Sequence, residues 1–219
     1  MTLDLFASLP LAGPQEEPLG PGATLLRGFA LAQSSEVLGA IAEVTRQAPF
    51  RHMTTPGGFR MSVAMTNCGA VGWVTDRTGY RYDALDPETG LRWPAMPPVL
   101  AELANRAASR GGFADFRPDA CLINRYEPGS RLSLHQDKDE QDHTAPVVSV
   151  SLGLPAVFLF GGPRREDKTR PIPVVHGDIV VWGGTSRLWY HGVRPLKDGD
   201  HPVLGRQRIN LTFRQALRR

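Results

Sequence analysis

The sequence predicts a mainly β protein with supporting helices, an α+β chain whose second half forms a sandwich, jelly roll or barrel. From about residue 118 onward, short runs rich in Val, Ile, Leu and Phe follow one another between Gly, Pro and Asp turns. No helical pattern separates these runs, which favours antiparallel strands. The 23 glycines and 19 prolines among 219 residues supply many turns, yet their share stays below that of disordered chains.

Residues 1–50 are predicted to form an N-terminal extension with one support helix. The Pro-rich residues 1–22 read as an extended lead-in. A helix is expected over about 35–47, capped by Ser34 or Ser35. Its apolar face is formed by Val37, Leu38, Ile41 and Val44.

The remaining chain completes a single domain, 1–219, in three parts. Residues 51–95 are interrupted by many glycines and prolines and read as a hairpin-rich lid rather than a core. Residues 96–112 contain a second support helix over 97–110, with an apolar stripe at Val99, Leu100, Leu103 and Ala107. Residues 118–216 form the β core, with strands in ACLINRYE, RLSLHQ, VVSVSLGL, AVFLFGG, IPVVHGDIVVWGG, RLWYHGV and RINLTFRQ.

Several classes of protein are excluded or disfavoured. No run of about 18 apolar residues exists, so no membrane-spanning helix is expected. The first residues lack a basic n-region, which disfavours a secretory signal. Cys68 and Cys121 form neither a CxxC motif nor a zinc cluster, and are expected as buried thiols in a reducing cytoplasm. No oligomerisation signal is evident, so a monomer is expected.

Basic and aromatic residues alternate over residues 51–81. The chain carries a net charge of +3, and in this segment Asp76 is the only acid. The basic residues are Arg51, His52, Arg60, Arg77 and Arg81, and the aromatic ones are Phe59, Trp73 and Tyr80. This pattern suits single-stranded nucleic acid, whose phosphates attract cations and whose bases stack on rings. A solvated surface over a few core aromatics is the alternative.

The segment His135-Gln136-Asp137 is the first candidate for chemistry. In an extended chain, residues two apart point to the same face, so His135 and Asp137 would converge. His191, in another predicted strand, is the best third ligand. Two histidines and one carboxylate form the facial triad that binds Fe(II) and leaves positions open. An HxD of purely structural use is the alternative, and His52, His143, His176 and His201 are expected in turns or at the surface.

The last predicted strand carries polar residues along one face. Alternation places Arg208, Asn210, Thr212 and Arg214 on one side, opposite Ile209, Leu211 and Phe213. Buried arginines require anions, and guanidinium groups bind carboxylates in bidentate fashion. The pair therefore suits the two ends of a dicarboxylate, unless the strand is a charged edge strand facing solvent. Asn124 and Tyr126 share a face of another strand and can bind a small polar ligand.

Taken together, these residues resemble the AlkB family of Fe(II)- and 2-oxoglutarate-dependent dioxygenases, its bacterial DNA-repair members in particular. The similar stretches run from about residue 50 to 216, and LDLF near the start also fits: TPGGFRMSVAMTNCG, WPAMP, PDACLINRYEPG, LSLHQDKDE, VVSVSLGLPA, HGDIVVWGG, RLWYHG and RINLTFRQA. HxD alone is unspecific, whereas HQDKDE joined to RxNxTxR is highly specific. The resemblance implies a double-stranded β-helix, or jelly-roll, core with a nucleotide-recognition lid at 51–95.

The resemblance also implies the site. Iron would be held by His135, Asp137 and His191, and 2-oxoglutarate by Asn124, Tyr126, Arg208, Asn210 and Arg214. Arg208 and Tyr126 would take the distal carboxylate, and Arg214 and Asn124 the end that chelates iron. Substrate contacts would come from Thr55, Trp73, Tyr80, Asp139 and Arg165. In this set Trp73 stacks on a flipped base, Thr55 and Tyr80 contact phosphate, and Asp139 lies near the exocyclic amino group.

The implied reaction is oxidative demethylation of 1-methyladenine and 3-methylcytosine in DNA, preferentially single-stranded, with double-stranded DNA or RNA as further substrates. It uses Fe(II), O2 and 2-oxoglutarate and releases succinate, CO2 and formaldehyde. Phe59 replaces a frequent tyrosine, and residues 163–175 and 199–206 diverge, so substrate range is less defined than chemistry. The alternatives are an oxygenase for RNA, protein or a small molecule, a non-catalytic jelly-roll module, and a zinc hydrolase.

Overall fold

The protein's fold, given by a computed structural model, is described for residues 15–218. Two helices lie in this range, α1 (Ser34–Gln47) and α2 (Pro98–Arg110). The strands are β1 (Glu16–Gly20), β2 (Ala23–Leu26), β3 (Ala64–Gly69), β4 (Gly72–Asp76), β5 (Gly79–Asp83), β6 (Ala120–Tyr126), β7 (Leu132–His135), β8 (Val147–Gly153), β9 (Ala156–Phe160), β10 (Arg170–Val174), β11 (Ile179–Trp182), β12 (His191–Val193) and β13 (Arg208–Arg214).

Two antiparallel sheets and one hairpin organise these strands. The larger sheet has the order β1-β2-β11-β8-β13-β6-β3, and the smaller one β10-β9-β12-β7. Strands β4 and β5 form a separate two-stranded hairpin. Every strand pairing within residues 15–218 is antiparallel, as the absence of intervening helices predicted. The two sheets face each other as a jelly roll.

The central strands of the larger sheet are buried on both faces. Its inner face packs against the smaller sheet through side chains such as Trp182 and Phe158. Its outer face packs against α1 and α2 through side chains such as Leu211 and Leu103. Strands β8 and β13 are consequently buried at all seven positions each. This double coverage explains why β8 reads as a continuous apolar run broken only by serines.

The alternation predicted for the last strand is confirmed. Ile209, Leu211 and Phe213 join the cluster beneath the helices. The four polar residues of the strand point to the other face and line a cavity between the sheets. Because β13 lies between β8 and β6, the alternative of a solvent-facing edge strand is wrong.

Both predicted helices are present, with corrections at their starts and faces. A 3₁₀ turn, Leu31–Gln33, leads into α1, so Ser34 is already helical and Gln33 occupies the cap without a side-chain bond. The prediction of a serine cap is therefore wrong. The face of α2 is shifted, since Ala104 and Ala108 are fully buried while Val99 is half-buried.

The segments flanking the predicted core contribute to its larger sheet. Strand β3 pairs with β6, so residues 64–69 belong to the core rather than to a separate lid. Strands β1 and β2, from the N-terminal extension, form the opposite edge. The run at 172–184 divides into β10 and β11. In RLWYHGV only the last three residues are extended, after a 3₁₀ turn at Gly184–Ser186.

Within residues 15–218, no helix is long and apolar enough to cross a membrane. Most of the N-terminal stretch on which the prediction about a secretory signal depends lies outside the described residues, as does LDLF. The thiols of Cys68 and Cys121 are free and buried, as predicted, and the two residues face each other across β3 and β6.

Two glycines with similar backbone angles give a test of how β3 meets the core. Gly69 (φ +124°) lies against the chain at Asp119, and a Cβ there would come within 2.3 Å of the Asp119 carbonyl oxygen. Gly79 (φ +128°) has nothing within 4 Å of such a Cβ. Both Gly→Ala variants incur backbone strain of roughly 1–3 kcal/mol. Gly69→Ala adds a clash with the main chain at Asp119. The free energy of unfolding in urea should therefore fall more in Gly69→Ala than in Gly79→Ala. Equal losses would contradict this account.

Candidate metal and co-substrate site

The predicted triad is assembled at the open end of the smaller sheet. His135 ends β7, Asp137 lies two residues beyond it, and His191 begins β12. His191 and His135 are direct register partners across the two strands. One ligand atom from each of the three residues lies within 4.8 Å of the others, and Asp137 and His191 are buried. The spacing read from the sequence thus brings two imidazoles and one carboxylate to a single point.

Backbone carbonyls fix the tautomer of both histidines. The Nδ1 atom of His135 lies 2.8 Å from the Ser133 carbonyl oxygen, and Nδ1 of His191 lies 3.0 Å from that of Trp189. A carbonyl oxygen only accepts hydrogen bonds, so each Nδ1 carries the proton. Each Nε2 atom is therefore unprotonated and available to a metal, and the two lie 3.7 and 3.8 Å from the carboxylate oxygens of Asp137. This is the arrangement that orients histidines for a metal.

The Asp137 carboxylate is held ionised by its neighbours. Burial alone would raise the pKa of Asp137, but Arg214, followed by the two histidines, lowers it below its usual range. Nε and Nη2 of Arg214 lie 2.9 and 2.8 Å from Oδ2 of Asp137. Burial, with a contribution from His135, lowers the pKa of His191 to about 4. A charged carboxylate beside a neutral imidazole is the donor set that a divalent metal requires.

A cavity of about 760 Å³ extends from the triad into the space between the sheets. At its inner end lies Arg208, a fully buried guanidinium. Its Nη2 donates to the Ser151 hydroxyl at 2.9 Å, whereas Nε and Nη1 have no hydrogen-bond partner in the described chain. The Tyr126 hydroxyl and Oδ1 of Asn124 are likewise unbonded. A buried cation with open donors fits an anionic ligand.

The two strand arginines differ in their partners. Arg214 is already paired with Asp137 and lies 3.4 Å from a carboxylate oxygen of Glu140. Arg208 has no carboxylate partner among residues 15–218 and lies 4.9 Å over the Tyr126 ring. Of the two arginines predicted to bind a dicarboxylate, Arg214 thus already has a carboxylate partner, and Arg208 keeps donors open for a ligand.

A match to a family model, described as the 2OG-Fe(II) oxygenase superfamily, extends over residues 22–214. The chain belongs to this superfamily. It is 60% identical over 214 residues to the alpha-ketoglutarate-dependent dioxygenase AlkB of Salmonella typhimurium, covering 98% of each chain. It is 43% identical over 161 residues to the DNA N(6)-methyladenine demethylase ALKBH1C of Arabidopsis thaliana, covering 62% of this chain and 35% of that one. The solved structure of OsALKBH1 superposes with a TM-score of 0.79 at 28% identity, covering 92% of this chain and all of that one.

This superfamily member is an Fe(II)- and 2-oxoglutarate-dependent dioxygenase. Its residues fit both groups. Two imidazoles in the Nδ1–H tautomer and one ionised carboxylate have ligand atoms within 4.8 Å of one another, which is the donor set of a facial triad. The unbonded nitrogens of buried Arg208 fit a carboxylate of the co-substrate. A zinc hydrolase or a non-catalytic module has no use for this second feature.

Residues of the hairpin border the same cavity on its outer side. Nε1 of Trp73 donates to Oδ2 of Asp139 at 2.8 Å, and the Trp73 ring stacks on Tyr80 at 5.7 Å. Asn67, on β3, holds the main chain of Trp73 through two hydrogen bonds of 3.0 Å. The core sheet thereby positions the hairpin. Thr55 also lines this rim.

Two further residues of the rim come from different segments. Arg165, in the divergent loop, lies over the Tyr190 ring at 5.9 Å. Phe59 is 76% exposed at the mouth of the cavity. All five residues predicted to contact substrate therefore border the cavity that holds the triad.

The basic stretch at 51–81 is less free than its charge suggests. Arg51 makes two bonds of 2.5 and 2.6 Å to Asp86, and Arg81 pairs with Asp76 and Asp83. The partners Asp83 and Asp86 lie outside the segment, so its composition could not reveal them. Arg51 and Arg81 therefore stabilise the fold through ion pairs and are not free cations for a nucleic acid.

Sequence reasoning missed Glu140, Arg187 and Tyr82, which lie behind the triad. Arg187 and Glu140 are both buried and paired at 3.0 Å. It also missed Ser149 and Ser151 on β8, which bond Asn210 and Arg208. The signal for the serines was present, since they are the two polar residues, two apart, in the otherwise apolar VVSVSLGL. The remaining histidines lie outside the triad, and His176 and His201 stack on each other at 4.6 Å.

The neutral His191 predicts a pH-dependent stability of the metal-free protein. Its pKa is about 4 when folded against 6.5 in the unfolded chain. Between these values the unfolded state binds a proton that the folded state does not, so stability is kept above pH 6.5 and lost as pH falls toward 4. With a chelator present, urea unfolding at pH 4.5 against pH 7 should show about 2 kcal/mol more loss in the wild type than in His191→Asn. Parallel losses would refute the buried neutral imidazole.

Proposed function

We propose that this dioxygenase removes methyl groups from N-methylated bases of nucleic acid, with 1-methyladenine and 3-methylcytosine in single-stranded DNA as preferred substrates. The observation that carries the proposal is the position of Trp73. An aromatic ring on a hairpin, bonded to Asp139, borders the cavity that holds the metal triad. The demethylase activity in the name of ALKBH1C supports the same class of substrate.

The chain's residues divide the work within the cavity. His135, Asp137 and His191 hold Fe(II). Arg208 and Tyr126 bind the distal carboxylate of 2-oxoglutarate. Asn210 is a further contact of 2-oxoglutarate. Asn124 contacts the metal-chelating end, and Arg214 flanks that end while it fixes Asp137. Burial raises the pKa of Tyr126 to about 12, so its hydroxyl stays protonated and donates to a carboxylate.

With Fe(II), 2-oxoglutarate and O2 bound, the site oxidises the methyl group and yields succinate, CO2, formaldehyde and the unmodified base. The chain itself orients the base. Trp73 stacks on one face and the imidazole of His135, which is 38% exposed, lies at the other. Asp139 accepts a hydrogen bond from the exocyclic amino group and favours a cationic methylated base. Thr55 and Tyr80 contact phosphate, and Arg165 completes the pocket.

Single-stranded DNA is proposed because a base must leave the stack to reach the triad, and unstacking is easiest where no pairing opposes it. Double-stranded DNA and RNA are further candidates. The alternative function is that of a 2-oxoglutarate oxygenase with the same core that acts on RNA, on a protein or on a small molecule. The aromatic and cationic rim favours a nucleic acid over the last two.

The division of the chain into a recognition segment at 51–95 and a catalytic core at 118–216 remains part of the proposal, with β3 shared between them. We further propose that the protein works as a monomer in the cytoplasm. Sedimentation of the metal-loaded protein across a wide concentration range tests the first point, and fractionation of the source cells tests the second.

One assay tests the function directly. The protein is mixed anaerobically with Fe(II) and 2-oxoglutarate, then given O2 and a short oligonucleotide bearing 1-methyladenine. Mass spectrometry should show loss of one methyl group from the single strand, with slower loss from a duplex and none without 2-oxoglutarate. His135→Ala should lose both turnover and bound iron.

The outcomes separate the alternatives. Methyl loss from methylated RNA but not from methylated DNA would reject DNA as the substrate. The same conclusion would follow if no oligonucleotide lost its methyl group while succinate still formed slowly. Both results would remain consistent with an oxygenase core. Turnover in His135→Ala at wild-type iron content would reject the triad assignment.

Replacing Trp73 tests the stacking platform. Trp73→Ala should weaken binding of the methylated oligonucleotide by ~1–3 kcal/mol, the usual contribution of one base–aromatic stack. Trp73→Phe cannot donate to Asp139 but keeps an aromatic ring for stacking. Because the ring is retained, this variant should recover most of the affinity. Fluorescence anisotropy with inactive metal measures both variants. Unchanged binding by Trp73→Ala would mean that the ring serves packing alone.

A further inference from the structure

Two hydrogen bonds join the hairpin to the chain immediately after the metal ligand Asp137. Trp73 on β4 donates to Asp139, and Tyr82 on β5 donates to Glu140 at 2.6 Å. Trp73 and Tyr82 are direct cross-strand partners, so they project from the same face of the hairpin. The hairpin thus grips two consecutive residues, one exposed and one buried.

Glu140 is the buried member of this pair, with only 1% of its side chain exposed. Its Oε1 accepts from the Tyr82 hydroxyl and lies 3.4 Å from Nε of Arg214. Its Oε2 accepts from Nη2 of Arg187 at 3.0 Å. Nε2 of His143 lies 4.0 Å from the same oxygen. This carboxylate therefore binds the hairpin on one side and two arginines on the other.

The same two arginines hold Asp137. Arg214 donates to the Asp137 carboxylate, and Nη1 of Arg187 donates to the Asp137 carbonyl oxygen at 2.7 Å. Two carboxylates and two guanidinium groups are thus buried together with no net charge. Removing the charge of Glu140 would leave an excess cation beside the metal ligands.

We propose that Glu140 is a positioning residue that couples the hairpin to the metal centre, with Tyr82 as its contact on the hairpin. Opening the hairpin breaks the bond from Tyr82 and leaves a buried carboxylate less satisfied, which loosens the arginines around Asp137. Metal binding at the triad accordingly stabilises the closed hairpin, and a closed hairpin strengthens metal binding. The inference rests on the metal-binding part of the proposed function and is independent of the substrate.

Hydrogen exchange tests the coupling without turnover. Mn(II) and 2-oxoglutarate are added under nitrogen to the full chain, and exchange of the peptide covering Gly72–Asp83 is followed by mass spectrometry. In the wild type the additions should slow exchange by about tenfold, the effect of one hydrogen bond to a charged group. In Tyr82→Phe, which lacks only the hydroxyl, the additions should change exchange less than twofold.

A matched control separates coupling from general weakening of the hairpin. Thr75, on β4, donates to the Thr54 carbonyl oxygen and makes no hydrogen bond to Glu140 in the described chain. Thr75→Val removes this bond from the same hairpin with little change in shape. The hairpin peptide of this variant should exchange faster than the wild type both with and without Mn(II) and 2-oxoglutarate. The factor by which these additions slow its exchange should stay near the wild-type value.

Metal affinity provides the second readout, because coupling is reciprocal. In calorimetric titration, Tyr82→Phe should bind Mn(II) more weakly than the wild type. The factor should equal that by which the variant reduces the ligand-induced slowing of exchange. Glu140→Gln should lose more Mn(II) affinity than Tyr82→Phe. Wild-type affinity is expected for Thr75→Val. Slowing of exchange in Tyr82→Phe equal to the wild type would overturn the proposal, as would unchanged Mn(II) affinity in both Tyr82→Phe and Glu140→Gln. Failure of the demethylation assay would leave these results intact.

Discussion

The ion pair between Arg214 and Asp137 is the interaction on which this structure depends. A carboxylate in a site this buried would ordinarily be neutral, and a protonated carboxyl is a poor metal ligand. Arg214 reverses that balance with two short contacts to one oxygen. The pair also fixes the end of β13 against the loop after β7, so electrostatics and strand register specify the same geometry. A site with these charges is therefore built before any ligand arrives.

Strand β13 shows how one element serves both packing and chemistry. Its apolar face anchors the helices, and its polar face supplies the floor of the cavity. The strand sits between β8 and β6, and all seven of its residues pair with β6 while six of them, Arg208 to Phe213, also pair with β8. Rigid placement of this kind suits a site in which a small co-substrate must be oriented within a fraction of an ångström. Function is thus carried by strands here, while the hairpin and loops adapt the rim.

Much of the fold and site was readable from the sequence because the decisive signals are local. Alternation in RINLTFR and the HxD spacing reflect a period of two, and the strand runs after residue 118 reflect apolar segments between turn residues. Tertiary context did not override either signal. Strand β3 was missed because the glycines and prolines of residues 51–95 made the whole segment read as a lid, although it contains the buried Thr66 and Asn67. Their side chains bond the Ala48 carbonyl and the Trp73 backbone, partners that no local pattern reveals. The same limitation hid Glu140, whose partner Arg187 lies 47 residues further on.

The unbonded nitrogens of Arg208 have a consequence for the lifetime of the protein in a cell. A dicarboxylate that satisfies them binds the folded chain and has no matching site on the unfolded one. Folding equilibrium then follows ligand supply by mass action, with a gain of about 2.7 kcal/mol at a concentration one hundred times the dissociation constant. Proteases act on opened molecules, so degradation would slow when the metabolite is abundant and quicken when it is scarce. Occupancy of the site beside Arg208 would therefore set how often the chain opens.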